Sequence, residues 1–245
     1  MTSEAKPDVS LCFPVYGDEK TVRRVTEKSL AILSELADEY EVVIIDDGSA
    51  DRSGEIADEL AAEHDCVRVI HHPRNLGYGE AIKTALREAR FEWICLSDGD
   101  DEYDVRDLAK LLPLRDFYDL VITFRYVKLY GSLRIFISWV YNLLIRKLFR
   151  MPYRDVSTGL RLVRKSVVEA LDFESSSPFI GAEITIKATL RGYRVGEVGI
   201  QTFPRSFGRS ASTTPANILA TIREMLRIYR NIFSAHYDMP QGRKR

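Results

Sequence analysis

Two carboxylates stand one residue apart in Asp98-Gly99-Asp100, where the apolar stretch 91–96 runs out. At that spacing the charges repel, and one group tends to keep its proton unless a cation lies between them. A hard divalent ion, Mg2+ or Mn2+, meets that need, because it takes carboxylate oxygens and bridges to phosphate. Taken alone, the same residues read equally as a solvated acidic turn. A second acidic cluster, Asp46-Asp47-Gly48-Ser49, closes the apolar run 42–45 and favours the cation. Arginines gather over 125–164 and again from Arg205. Guanidinium forks match phosphate oxygens, so Arg125, Arg134, Arg161 and Arg205 are candidate anion anchors.

These groups need elements to hold them at one place. Residues 9–15, 42–45, 67–70 and 91–96 are apolar runs of strand length. Between them lie helical patterns, at 20–40 with Val22, Val25, Leu30, Leu33 and Leu36 in helix spacing, after Ser49 or Asp51 as caps, and over 80–90. Continuous apolar strands with helical crossovers predict an α/β fold, a mostly parallel sheet covered on both faces. Ligands of such sheets bind beyond the carboxyl ends of the strands, where Pro14–Tyr16, Asp46-Asp47 and Asp98–Asp100 all fall. Further on, 120–124 reads as a strand ending at Arg125, and 195–198 and 200–203 as two short strands. Residues 134–150 are apolar and aromatic among basic residues. A helix over 217–233 carries Ile218, Ile222, Met225, Tyr229 and Ile232 on one face and Arg223, Arg227 and Arg230 on the other.

With 245 residues, 45% of them hydrophobic, the chain can bury a sizeable core. Without a linker or repeat it reads as one domain over 1–245. Its parts are a first half at 9–125, a second half at 126–212, an amphipathic helix at 213–236 and a tail at 237–245. Lys+Arg 35 against Asp+Glu 36 gives no reason to expect nucleic acid. Three cysteines, Cys12, Cys66 and Cys95, form neither a disulfide framework nor a zinc spacing, which fits a reduced, cytoplasmic setting. No apolar run reaches the ~18 residues of a membrane span, and no signal-peptide core is expected at the start. His71-His72 reads as an ordinary strand-end surface pair, since neighbours on an extended chain point opposite ways.

The ordered set of motifs closely resembles the family 2 glycosyltransferases of the GT-A (Rossmann-like) fold, and among them the polyprenyl-phosphate or dolichyl-phosphate sugar synthases. Phe13-Pro14-Val15-Tyr16-Gly17-Asp18 resembles the opening Pro-x-Tyr-Asn-Glu strand end. Asp46-Asp47-Gly48-Ser49-Ala50-Asp51 reproduces Asp-Asp-Gly-Ser-x-Asp. Arg74-Asn75-Leu76-Gly77-Tyr78-Gly79 with Ala81 matches Arg-Asn-x-Gly-x-Gly-x-Ala, and Asp98-Gly99-Asp100 is the Asp-x-Asp motif. The lipid-phosphate group is resembled by Asp155-Val156-Ser157-Thr158-Gly159-Leu160-Arg161, and by Glu197-Val198 followed by Arg205-Ser206-Phe207-Gly208-Arg209-Ser210. The chain departs from the family at Gly17-Asp18 (often Asn-Glu), Tyr78 (commonly Lys), Glu102 (often Gln) and Ala211 (usually Lys).

The resemblance implies an inverting, metal-dependent hexosyltransferase. Its donor would be GDP-mannose or a UDP-hexose. Its acceptor would be a polyprenyl phosphate, met by a peripheral enzyme on the cytoplasmic membrane face. Pro14, Tyr16, Asp18, Asp46, Asp47, Asp98 and Gly99 would take the nucleotide. Asp98, Asp100 and Glu102 would hold Mg2+ or Mn2+, with Asp100 the direct ligand. A lipid monophosphate, with a second pKa near ~6, is already ionised at neutral pH, so the acceptor side needs cations more than a base. Arg125, Arg134, Asp155, Thr158 and Arg161 are expected there, with Arg125 and Arg205 in catalysis. Residues 134–150 read either as an interfacial amphipathic segment or as core packing. Two rivals stand: a family 2 enzyme with a hydroxyl acceptor, for which Glu183 is the candidate base, and a non-catalytic sugar-nucleotide-binding protein.

Overall fold

The computed structural model describes residues 5–99, 102–126, 132–156, 158–203 and 214–234. Its first half alternates strand and helix: β1 (Val9–Val15), α1 (Val22–Leu36), β2 (Tyr40–Asp46), α2 (Ser53–Glu63), β3 (Val67–His71), α3 (Tyr78–Glu88) and β4 (Trp93–Leu96). The short helix α4 (Leu108–Leu111) leads into β5 (Leu120–Arg125), followed by α5 (Ser132–Phe149) and β6 (Arg161–Arg164). The chain then forms α6 (Lys165–Glu169), α7 (Ile180–Leu190), β7 (Val195–Ile200) and α8 (Pro215–Ser234).

Seven strands join in one sheet in the order β3-β2-β1-β4-β6-β5-β7. Pairing is parallel throughout, except that β6 runs against both β4 and β5. Every strand side chain alternates between two packed faces, as a period of two demands. Cys12, Val43, Ile45, Ile94 and Leu96 meet α3, α5, α7 and α8 on one face. Leu11, Phe13, Val42, Ile44 and Cys95 meet α1, α2 and α4 on the other. The expected α/β architecture with helices on both faces is therefore present.

Two local readings change. The expected strands at 195–198 and 200–203 are one strand, β7, which pairs with β5 through Ile200; beyond it Thr202 only bridges to Tyr103. The strand β6, only four residues long, is not announced by its sequence. The helix α8 is fixed by Met225, Ile228 and Ile232, buried against the face that holds Phe149 and Phe179. Each such side chain contributes about 1.5–3 kcal/mol. Among the described residues no helix is long and apolar enough to cross a membrane.

Candidate active site

The carboxyl ends of β1, β2 and β4 lie side by side because β1 pairs with both neighbours in parallel register, Val15 opposite Asp46 and Cys12 opposite Leu96. The loops that follow are stitched together. Thr21 at the start of α1 donates through Oγ1 to the Gly99 carbonyl at 2.9 Å. The Asp18 amide donates to Ser53 Oγ at 2.8 Å, while the Asp18 carboxylate accepts from the Tyr16 amide at 3.0 Å. Gly48 adopts φ +69° and lies so close to the Arg74 backbone that a Cβ has no room. Only glycine meets both demands without strain.

A cleft of about 770 Å3 opens at this edge. Pro14, Tyr16, Asp18, Asp47, Asp98, Gly99, Glu102, Arg125, Arg134, Thr158 and Arg161 all line it, so most of the residues singled out from sequence share one cavity. Asp100 and Arg205 lie outside the described residues, as do Ser157, residues 206–213 and the tail from 235 onwards. Three expected site residues are described but absent from the walls: Asp46, Asp155 and Glu183.

Asp46 turns away from the cleft, its Oδ2 2.9 Å from His71 Nδ1 and its Oδ1 accepting from the Ser49 amide at 3.0 Å. Its neighbour Asp47 turns inward, yet is also held, by His72 Nδ1 at 2.7 Å and by the amides of Leu76 and Gly77 at 2.9 Å each. The two histidines do point opposite ways, but they are not a mere surface pair. His72 is largely buried, and each histidine secures one aspartate across the β2–β3 pair.

Asp98, also on the cleft wall, is framed from two sides. The Tyr78 hydroxyl donates to its Oδ1 at 2.8 Å. A Cβ at Gly159 would fall well inside van der Waals contact distance of its Oδ2. Arg161 lies buried nearby, donating to the carbonyls of Thr158 and Gly181. Burial pushes the Tyr78 hydroxyl well above its ordinary pKa, with the Asp98 charge adding to it. Burial also draws Arg161 below its usual value, against the opposing pull of Tyr78, Tyr103 and Asp98. Thr158, expected on the acceptor side, and its neighbour Gly159 thus also shape the seat of the inner aspartate. The Tyr78 role was missed from sequence; its departure from the usual lysine was the available signal.

At the end of β5, Arg125 forms a buried ion pair with Asp155, Nη2 to Oδ2 2.7 Å and Nε to Oδ2 3.0 Å. Burial works against the Arg125 charge, but Asp155 raises its pKa regardless. Asn142, from the middle of α5, donates to Asp155 Oδ1 at 3.2 Å and accepts from the Val156 amide at 3.0 Å. An asparagine set directly before the apolar run Leu143-Leu144-Ile145 was the signal for that link. Asp155 therefore stands behind Arg125 rather than on the wall. Arg134 on α5 reaches Glu102, Nη2 to Oε1 3.5 Å.

Glu183 is fully buried, accepts from the amides of Glu174 and Ser175 at 2.8 Å each, and pairs with Lys187 at 2.7 Å. So engaged, Glu183 lies off the cleft wall, away from where a base for a bound hydroxyl is expected. Asp98 and Glu102 offer hard oxygen donors to the same cavity, the donor set that suits Mg2+ or Mn2+. Beyond them the cleft becomes apolar, running between Phe136, Ile137, Val140 and Leu144 of α5 and Ile218, Ile222 and Met225 of α8.

The profile of the family described as "Glycosyl transferase family 2" matches residues 10–172. Glycosyltransferase AglD of Haloferax volcanii is 31% identical over 208 residues, which are 81% of this chain and 33% of AglD. The undecaprenyl-phosphate 4-deoxy-4-formamido-L-arabinose transferase of Shewanella sediminis is 31% identical over 206 residues, 82% of this chain and 61% of the relative. The chain thus spans only a third to about three fifths of these relatives. Among solved structures, glucosyl-3-phosphoglycerate synthase from Mycobacterium tuberculosis, crystallised with Mn2+, uridine diphosphate and phosphoglyceric acid, superimposes with a TM-score of 0.72 at 18% identity. That match covers 91% of this chain and 78% of the synthase, and shows the shared GT-A fold. On the family match and these relatives, the chain belongs to glycosyl transferase family 2.

Proposed function

We propose that the protein transfers a sugar from a nucleotide diphosphate to a polyprenyl phosphate. The observation that carries this reading is the composition of a single cleft, carboxylates and strand-end loops at one end, arginines in the middle and an apolar channel between α5 and α8 at the other. A nucleotide sugar fits the first, a phosphate the second and a prenyl chain the third. The two named relatives support it: AglD is a glycosyltransferase, and the Shewanella enzyme acts on undecaprenyl phosphate.

In this reading Pro14, Tyr16, Asp18 and Asp47 border the base and ribose, with Asp98 and Gly99 at the diphosphate end. Asp46 contributes through the turn that it ties to His71 rather than by contact. Asp98, Glu102 and Asp100 would hold Mg2+ or Mn2+. When bound, that cation supplies charge neutralisation for the departing nucleotide. Arg125 and Arg134, with Arg205, orient the acceptor phosphate so that its oxygen faces the anomeric carbon for a single inverting displacement. Thr158 and Arg161 keep Asp98 in place beside it. The phosphate arrives ionised, so no side chain has to remove a proton. The enzyme works peripherally, on the cytoplasmic side where nucleotide sugars are available.

The hydroxyl-acceptor reading loses its candidate base with the burial of Glu183. The non-catalytic reading is disfavoured by Asp98 and Glu102 on the cleft wall. The test is incubation with GDP- and UDP-sugars and a short polyprenyl phosphate, with Mn2+, Mg2+ or chelator, followed by mass spectrometry. Formation of a polyprenyl-phosphate sugar only with added metal is expected. Transfer solely to hydroxyl acceptors, or no metal-dependent nucleotide binding by calorimetry, would overturn the proposal.

A further inference from the structure

The helices α5 and α8 meet through aromatic side chains and flank the cleft. Near their C-terminal ends the Phe149 ring packs edge-on to Tyr229 at 5.7 Å and tilted to Phe233 at 6.5 Å. Phe136 and Leu144 of α5 and Ile222 of α8 line the same cleft, all three with exposed outer surface. The inner sides are core, through Ile145, Phe149, Met225, Ile228 and Ile232.

The outer sides are unusual. At about 100° per residue, Ile135, Phe136 and Trp139 share one exposed stripe of α5 with Arg146 and Lys147. Phe136 and Trp139 stack there with centroids 6.2 Å apart. On α8, Leu219, Ile222, Leu226 and Phe233 form an exposed apolar row on the cleft side, and Arg223, Arg227 and Arg230 are exposed beside it. Neither helix presents an acidic group outward. The single acid of the two, Glu224, turns inward to the amides of Ser176 and Ser177. The outward face of the two helices carries cations and apolar side chains, with Asn231 and the neighbouring Glu174 at its edge, a segregated pattern on a chain of net charge −1.

We infer that this two-helix face docks on an anionic lipid bilayer, with the mouth of the cleft opened onto it. Aromatic and aliphatic side chains would enter the acyl boundary while the arginines meet the head groups. A second copy of the chain is a poorer occupant, since the same cations would face each other across a two-fold contact. The inference rests on the lipid-acceptor reading for its purpose, but its observations are independent of turnover.

The chain carries its own reporter. Of its two tryptophans, Trp93 is 3% exposed in the core, whereas Trp139 is 54% exposed on this face. Vesicles of phosphatidylglycerol and phosphatidylcholine carrying brominated acyl chains should quench Trp139, less so as salt rises. Phosphatidylcholine vesicles alone should quench it weakly. The triple variant Leu226→Ser, Arg223→Glu, Arg230→Glu, all outside the cleft walls, should lose vesicle binding by more than about 10-fold. It should keep the nucleotide affinity and transfer to a detergent-dispersed short prenyl phosphate seen in the unmodified chain. Circular dichroism and the unfolding midpoint of the variant check that it is folded. Absence of quenching, equal binding to neutral and anionic vesicles, or concentration-dependent self-association that buries Trp139 would each overturn the inference. If quenching is seen without any sugar transfer, docking stands and the acceptor reading falls.

Discussion

The Tyr78 hydroxyl donates to the Asp98 carboxylate across 2.8 Å, so the residue that opens α3 holds the carboxylate that follows β4. A hydrogen bond to a charged group contributes about 1.5–3 kcal/mol. Tyr78→Phe should lower kcat/KM by roughly 10- to 100-fold and weaken Mn2+ affinity measured by electron paramagnetic resonance, with the fold retained. Wild-type Mn2+ affinity in the variant would show that the bond does not position Asp98.

Gly159→Ala probes the same carboxylate from the other side. No Cβ fits there beside Asp98 Oδ2, and Gly159 has no positive φ to confuse the result. Asp98 must swing, so metal-dependent nucleotide binding should fall by at least about 10-fold while circular dichroism stays unchanged. Calorimetry with nucleotide and Mn2+ reads the outcome directly.

Arg125 and Asp155 are both more than nine-tenths buried. Removing one partner strands the other's charge, at about 3–5 kcal/mol. Asp155→Ala should therefore lower the urea midpoint strongly. The apolar pair Arg125→Met, Asp155→Leu should recover most of that stability but not activity, if Arg125 meets the acceptor phosphate. Recovery of activity with stability would assign Arg125 a structural task alone.

Glu183→Gln should destabilise the protein, because Lys187 keeps its charge with one fewer carboxylate beside it. The pH dependence of turnover should keep its shape. A lost acidic limb in that profile would instead restore Glu183 as a base.

His71 makes both ring nitrogens available to carboxylates, 2.9 Å to Asp46 and 2.9 Å to Asp58. Only the imidazolium donates from both, and these bonds, Asp46 first, raise its pKa above 6.5. A raised folded-state value stabilises fully below pH 6.5 and is lost as pH climbs through the higher value. Wild type should lose unfolding midpoint between pH 6 and pH 8 more than His71→Gln. Parallel curves would show that the contacts carry no linkage; since His71 is partly exposed, the difference should be modest.

The convergence at the cleft was legible because parallel β–α repeats bring every strand end to one edge, so Pro14, Asp47 and Asp98 could be grouped without coordinates. Which aspartate faced inward was not legible. Asp46 and Asp47 have the same chemistry, and their opposite directions follow from the pleat and from the register that sets Asp46 against His71. Glu183 misled because its helix-start position suits either an exposed base or a buried cap, and only packing of 172–175 decides. Tyr78 and Asn142 were visible as oddities, but their partners lie 20 and 13 residues away and depend on tertiary contact.

The reversed strand β6 has a consequence for how this molecule can change. The chain leaves the sheet at Arg125 and re-enters at Arg161 on the adjacent strand, with Ile122 opposite Arg161. Everything between, including α5, is an excursion whose two ends sit next to each other on the cleft floor. Such a cassette can be exchanged or lengthened without rethreading any other strand, so the α5 wall of the cleft can diversify while β1, β2 and β4 stay as they are.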